Sequence, residues 1–295
     1  MALLLTWSGA PSNSKRRVHG QFHEMNATTS LARRLQYLAS RYLLRKKFLI
    51  AYAEPYDTHF KFSIRDGIGK DIYYKWGVYS EDFITRYILE QVGITDSDLV
   101  LDIGANIGWY SLVLSSRQHP TILAFEPDPT NFSLLKENIA LNKRTTVKAF
   151  NLAIAGREGT MQLFLYKKYN QGRHSLIAGP KSGQSVSVQT VVLDRFLQQQ
   201  ELGNRPIKFL KIDIEGFEFT ALKGARETLS RTEFVLSEFS PAIMQQINES
   251  PMEFVWFMEG FGFKGYELTD QWMGKANFDM MIEKGEVYDI LWKRG

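Results

Sequence analysis

Leu99-Val100-Leu101-Asp102-Ile103-Gly104-Ala105-Asn106-Ile107-Gly108-Trp109-Tyr110 reads as a buried strand that breaks into a sharp turn and starts a helix. Four apolar residues around one acid fit a parallel strand covered on both faces. Asp102, Gly104, Asn106 and Gly108 fall at every second position. This sets the acid at the strand's carboxyl end, and the glycines let backbone approach a bound molecule closely.

Working outward, strands and helices alternate. Ile107–Ser116 is expected as a crossover helix and Thr121–Phe125 as the second strand, which ends in Glu126-Pro127-Asp128-Pro129. Asp128 as cap with Pro129 at the first helical position starts the next helix, and Thr146–Phe150 follows as a third strand. Met161–Tyr166 and Val186–Val192 read as strands around a polar loop. Ile207–Ile212 and Glu233–Glu238 complete the core strands, and Phe261–Leu268 and Val287–Trp292 close the edge. Such alternation predicts an α/β fold with a mostly parallel sheet and helices on both faces.

Upstream, Ser30–Ile50 is expected to be helical, with Leu31, Leu35, Leu38, Tyr42 and Leu49 in one row and Arg34, Arg41 and Arg45 on its flank. That helix could lie as a peripheral contact on an anionic membrane. The favoured expectation is that it docks on the main domain with its arginines in water. Phe60, Phe62 and Ile64 alternate with polar residues before Asp66-Gly67, which predicts a β-hairpin whose second run ends at Tyr73, Tyr74 and Trp76. Ser80 can cap a lead-in helix that Gly93 stops. The expected organisation is a disordered tail over 1–29 with Met25 as a plausible start, an N-terminal helix and hairpin over 30–97, and a ligand-binding domain over 98–295.

Charge is unevenly spread. The first 50 residues hold nine Lys or Arg against Glu24 alone, whereas the other 245 hold 27 basic and 31 acidic groups. A nucleic-acid groove in the main domain is therefore not expected. The chain has no cysteine, which removes disulfides and thiolate chemistry. With no export signal and no long apolar run, a cytoplasmic location is expected.

Asp102, Glu126, Asn151, Asp213 and Glu238 should share the rim where strands end, the ligand side of an open parallel sheet. Glu126 lies 22 residues beyond Gly104, the separation of an acid that takes ribose hydroxyls, so a nucleoside is indicated. A pyrophosphate would be repelled by Asp102 inside the turn. The ammonium of S-adenosylmethionine would be favoured there, and Asp102, Gly104, Ala105, Asn106, Gly108 and Glu126 are its expected contacts. A nicotinamide-dependent oxidoreductase is the rival enzyme, and a non-catalytic adapter with a vestigial domain is a second alternative.

Asp102–Gly108, Phe125–Pro129, Lys211-Ile212-Asp213-Ile214-Glu215-Gly216, Leu222–Ala225 and Ser237-Glu238-Phe239 together resemble the FkbM-type methyltransferase family. The resemblance implies a Rossmann-like class I methyltransferase fold with a seven-stranded sheet, plus the N-terminal extension, and O-methylation of sugars or natural products. The family often carries an acid just beyond the third strand, where this chain reads Ala153-Ile154-Ala155-Gly156. Asn151 and the backbone near Ala153 are the adenine contacts offered instead.

Methyl transfer to an alcohol needs alignment and removal of a proton. Asp213, Glu215, Glu238 and His174 are the candidate catalytic groups, with Asp213 and Glu215 favoured by the resemblance. The three acids could offer oxygens to magnesium, but no dedicated ligand cluster shows and no metal is expected. The loop Lys167–Gly183 reads as a lid over a small-molecule or carbohydrate acceptor.

Overall fold

Leu35, Leu38 and Tyr42 of the N-terminal apolar row turn away from the core, whereas Leu49 packs against it. In the computed structural model, which describes residues 27–64, 66–75, 82–166, 182–269 and 273–295, α1 (Ala27–Leu38) runs into a π-helical turn at Ala39–Leu43. Tyr37 and Ser40 are the buried residues here, while Leu35 and Tyr42 are 58% and 64% exposed. The helix ends well before Ile50. Arg45 takes φ 48°, and β1 (Phe48–Ala53) then pairs antiparallel with β2 (Thr58–Ser63).

The hairpin thus lies one strand upstream of its expected place. Asp66, expected in a hairpin turn, instead accepts the Gly69 N–H at 2.8 Å as the N-cap of α2 (Gly67–Tyr74). Aspartate suits both settings, and local sequence does not separate them. After α3 (Asp82–Gln91), closed by Gly93 at φ 67°, come β3 (Leu99–Ile103), α4 (Trp109–Leu114), β4 (Thr121–Phe125), α5 (Pro129–Leu141) and β5 (Val147–Phe150). Asp128 accepts from Thr130 and Asn131 N–H at 2.8 Å each, so the expected cap on α5 is present.

Next, β6 (Ala153–Ile154), β7 (Gly159–Tyr166) and β8 (Ser182–Val191) form a separate small sheet. The remainder is α6 (Leu193–Gln199), β9 (Ile207–Ile212), α7 (Glu218–Lys223), α8 (Arg226–Ser230), β10 (Thr232–Phe239), α9 (Pro241–Gln246), α10 (Pro251–Gly260), β11 (Phe263–Leu268), β12 (Met273–Lys275), α11 (Phe278–Lys284) and β13 (Tyr288–Arg294). The main sheet runs β12-β11-β13-β10-β9-β3-β4-β5. The five strands from β10 to β5 are parallel, and β13 inserts antiparallel between β10 and β11. The seven expected strands are present, and β12 adds an eighth at the edge. Its three residues are too few to show an alternation.

Strand periodicity divides the core. Leu99, Leu101 and Ile103 join one apolar cluster with α6, α7 and α10, while Val100 joins the other with Ile122, Leu112 and the N-terminal elements. Trp109 stacks on Phe60 of β2 at 5.2 Å between ring centres and donates its indole N–H to Thr85 at 2.9 Å. The β2 edge is held by α5. Asn138 accepts from Lys61 N–H at 2.7 Å and donates to Lys61 O at 3.0 Å, and Asn142 does the same for His59 at 2.7 Å each. Two amides one helical turn apart imitate the groups of a neighbouring strand.

No described helix is long and apolar enough to cross a membrane. The expected tail, Trp76, Ser80, His174 and the lid reading of the 167–181 segment fall outside the described residues.

Candidate active site

The turn after β3 is built by neighbouring chain more than by its own side chains. Gly104 takes φ 75°, Asn106 φ 52° and Gly108 φ 98°, conformations that glycine and asparagine adopt at least cost. The Gly104 and Ala105 N–H groups both donate to Phe125 O, at 3.0 and 2.9 Å. A Cβ on Gly104 would fall 1.9 Å from Asp213 O, and one on Gly108 would fall 2.7 Å from Leu135. The glycines therefore admit other parts of the fold, a use the sequence does not reveal.

Asp102 is buried with its Oδ2 accepting from the N–H and hydroxyl of Ser111, at 3.0 and 2.5 Å. Its Oδ1 has no hydrogen-bond partner. Burial raises its pKa, opposed by the Lys211 ammonium 4.0 Å away and by the Ser111 bonds. Glu126 ties the turn to β4. Its Oε2 accepts from Asn106 N–H at 2.8 Å and its Oε1 from Asp128 N–H at 2.9 Å. Burial pushes this carboxyl up to about 7 against those two bonds.

Asn151 donates to the carbonyls of Glu126 and Pro127, at 2.9 Å each, and so braces the Glu126 segment from β5. Ala153 is buried in β6 beside Leu163 and Val188. The structure thus places Asn151, Glu126, Asp102, Asp213 and Glu238 at the carboxyl ends of five consecutive parallel strands, as the alternation implied.

Lys211, the first residue of the Lys211–Gly216 motif, has a role that the motif alone does not reveal. It stands beside Asp102 in the register of β9 on β3, buried, with its Nζ donating to Gly104 O at 2.9 Å and lying 3.3 Å from Asp213 Oδ2. Tyr110 presents its ring to the same ammonium at 5.5 Å. The available signal was a lysine at an inward position of a fully buried strand, a charge that needs partners. Asp213 itself is 39% exposed along its side chain, and its N–H donates to Ile103 O at 3.2 Å.

Glu215 takes φ 57° and Gly216 φ 92°, so the turn after β9 doubles back. Glu218, another residue missed from sequence, stabilises it by accepting the Ile214 and Gly216 N–H groups at 2.8 and 3.2 Å. Burial and the facing Glu238 raise the Glu218 pKa well above the usual carboxylate range. Glu238 accepts the Ser240 hydroxyl at 2.5 Å. Among the described residues no group of three or more His, Asp or Glu side chains is arranged to hold a metal ion.

The donor set fits S-adenosylmethionine. Asp102 Oδ1 and Asn106 Oδ1 are acceptors buried without a hydrogen bond, which suits an ammonium. Each Glu126 oxygen carries one backbone N–H and retains a lone pair for a ribose hydroxyl.

Three curated relatives frame the chain. Methyltransferase sdnD of Sordaria araneosa is 30% identical over 51% of this chain and 68% of its own length. Hexuronic acid methyltransferase AglP of Haloferax volcanii is 25% identical over 55% and 64%, and 2-O-methyltransferase NoeI of Sinorhizobium fredii is 28% identical over 48% and 63%. The chain spans about two thirds of the length of the curated relatives it matches. TYW2 of M. jannaschii, solved in complex with AdoMet, aligns over 85% of this chain and 88% of that chain with 15% identity and a TM-score of 0.41. The model of the methyltransferase FkbM domain matches residues 102–280, more than half of the chain, which therefore belongs to the FkbM family of S-adenosylmethionine-dependent methyltransferases.

Proposed function

We propose that this chain methylates a hydroxyl on a sugar, glycan, glycolipid or natural-product acceptor. The observation that carries this reading is Asp213, a partly exposed carboxylate at the end of β9, held beside the turn whose buried acceptors suit the methyl donor. The names of three relatives support the acceptor class: a hexuronic acid methyltransferase, a 2-O-methyltransferase and a 31-O-demethyl-FK506 methyltransferase.

S-adenosylmethionine, when bound, supplies a methyl group already activated by its sulfonium. The protein's work is placement and proton removal. Asp102 and Asn106 hold the ammonium end, and Glu126 takes the ribose hydroxyls. Asn151 keeps the Glu126 segment in place, and the 151–153 backbone borders the adenine. Asp213 Oδ2 receives the acceptor's proton, and Lys211 fixes that carboxylate against the turn. Glu215 and Glu238 flank the acceptor side.

Calorimetry with S-adenosylmethionine and with NAD tests the cofactor half, and tighter binding of NAD would overturn it. Mass spectrometry of carbohydrate and small-molecule extracts incubated with the enzyme and isotopically labelled donor tests the acceptor half. Label on nitrogen or carbon, with none on oxygen, would reject a hydroxyl acceptor.

A further inference from the structure

We infer that the outer face of residues 34–52 is a docking surface for an anionic lipid bilayer. Large apolar side chains emerge there largely uncovered by the described residues, with Leu35, Leu43, Leu44 and Ile50 each more than half exposed. Leu35 and Tyr42 point outward from α1 and its π-turn, Leu43 is 80% exposed, and Leu44 follows it into solvent. Phe48 and Ile50 then alternate onto the outward side of β1, whose Ala51 and Ala53 face the core. Single exposed leucines are ordinary on a protein surface, but a run continuous through a helix, a turn and a strand marks a contact surface.

Charge identifies the occupant. Residues 27–53 contain Arg33, Arg34, Arg41, Arg45, Lys46 and Lys47 and no Asp or Glu, and Arg34, Arg45, Lys46 and Lys47 are exposed. Beyond residue 50 the acids outnumber the bases by 31 to 27, so an anionic surface attracts this end of the molecule and repels the rest. Nucleic acid would use the basic groups but gain little from exposed leucines. An interface of lipid headgroups and acyl chains uses both at once.

The test is co-sedimentation of the full chain with phosphatidylcholine vesicles, with and without phosphatidylglycerol. Binding to the anionic vesicles should exceed that to neutral ones by about tenfold or more, and 0.5 M salt should weaken it. Leu43→Asp with Leu44→Asp should abolish it, and Arg45→Gln with Lys46→Gln and Lys47→Gln should reduce it about tenfold. The glutamine variant changes only exposed charges, so the test survives if the aspartate variant misfolds. S-adenosylmethionine binding by calorimetry should be unchanged in folded variants. Equal partition into both vesicle types, or none into either, would overturn the inference. So would a dimer in light scattering that the leucine substitutions dissociate without any vesicle binding, because a second copy would then cover the face. Binding that appears only after removal of residues 1–26 would make the chain's own N-terminal segment the occupant.

Discussion

The Lys211 ammonium lies 3.3 Å from the Asp213 carboxylate, and this pair joins the end of β9 to the turn after β3. The same ammonium donates to Gly104 O at 2.9 Å and stands 4.0 Å from Asp102. Lys211→Met keeps the bulk of the stem and removes the charge, leaving Asp102 buried without its compensating cation. The expected loss is roughly 3 kcal/mol of stability, and Asp102→Asn added to it should restore much of that. Thermal or urea unfolding of both single variants and the double variant measures the coupling, and purely additive losses would deny it.

Asp213→Asn keeps the size of the side chain and removes the carboxylate proposed to receive the acceptor's proton. Turnover should fall by about 10²–10⁴, with the dissociation constant for S-adenosylmethionine little changed. Single-turnover methylation alongside calorimetry separates the two quantities. Weakened donor binding with normal turnover would move Asp213 out of the base's role.

Glu126 should make stability depend on pH in the direction opposite to a salt-bridged acid. Its folded carboxyl sits at about 7 because of burial, against 4.5 for a free glutamate. Between those values the folded protein holds a proton that the unfolded chain has released. The stabilisation is therefore present at low pH and declines as pH rises through that window, by about 3 kcal/mol. Asp102 and Glu218, also raised by burial, act in the same direction. Urea unfolding between pH 5 and pH 8, at about half-unit steps, should show a shallower decline in Glu126→Gln than in the wild type. If ribose hydroxyls donate to Glu126 as proposed, they favour the ionised form, so S-adenosylmethionine binding near neutral pH should release protons, read from calorimetry in buffers of different ionisation heat.

Asn138→Ala removes both bonds to Lys61 and a third to Ile107 O at 2.9 Å. Leaving those buried groups unpaired should cost about 2–3 kcal/mol. Hydrogen exchange at the Lys61 amide should quicken more than at Ile122 in the sheet centre, and equal protection at Lys61 in both proteins would show that the clamp is dispensable.

Most of what sequence made legible was local or periodic. The β4 and β9 boundaries, the Asp128-Pro129 start of α5 and the rim of strand-end acids all follow from patterns within a few residues. The features it hid depend on distant partners. Asn138 is 77 residues from the backbone it clamps, and Lys211 is 107 from Gly104. Asp66, expected in a hairpin turn, caps α2 instead, beside Gly69, where a Cβ would fall 2.1 Å from the Phe62 ring. The Leu35, Leu38 and Tyr42 row has the spacing of a buried face and is exposed. Periodicity marks an apolar side but does not say whether protein covers it.

A strand recruits another strand through its unpaired backbone groups, and His59 and Lys61 would otherwise supply two such residues at the edge of β2. The paired amides of Asn138 and Asn142 satisfy them from a helix, which has no further row of strand groups to pass on. Growth of the sheet ends on that side. The hairpin can therefore remain beside an exposed apolar surface without that edge becoming a template for polymerisation between copies.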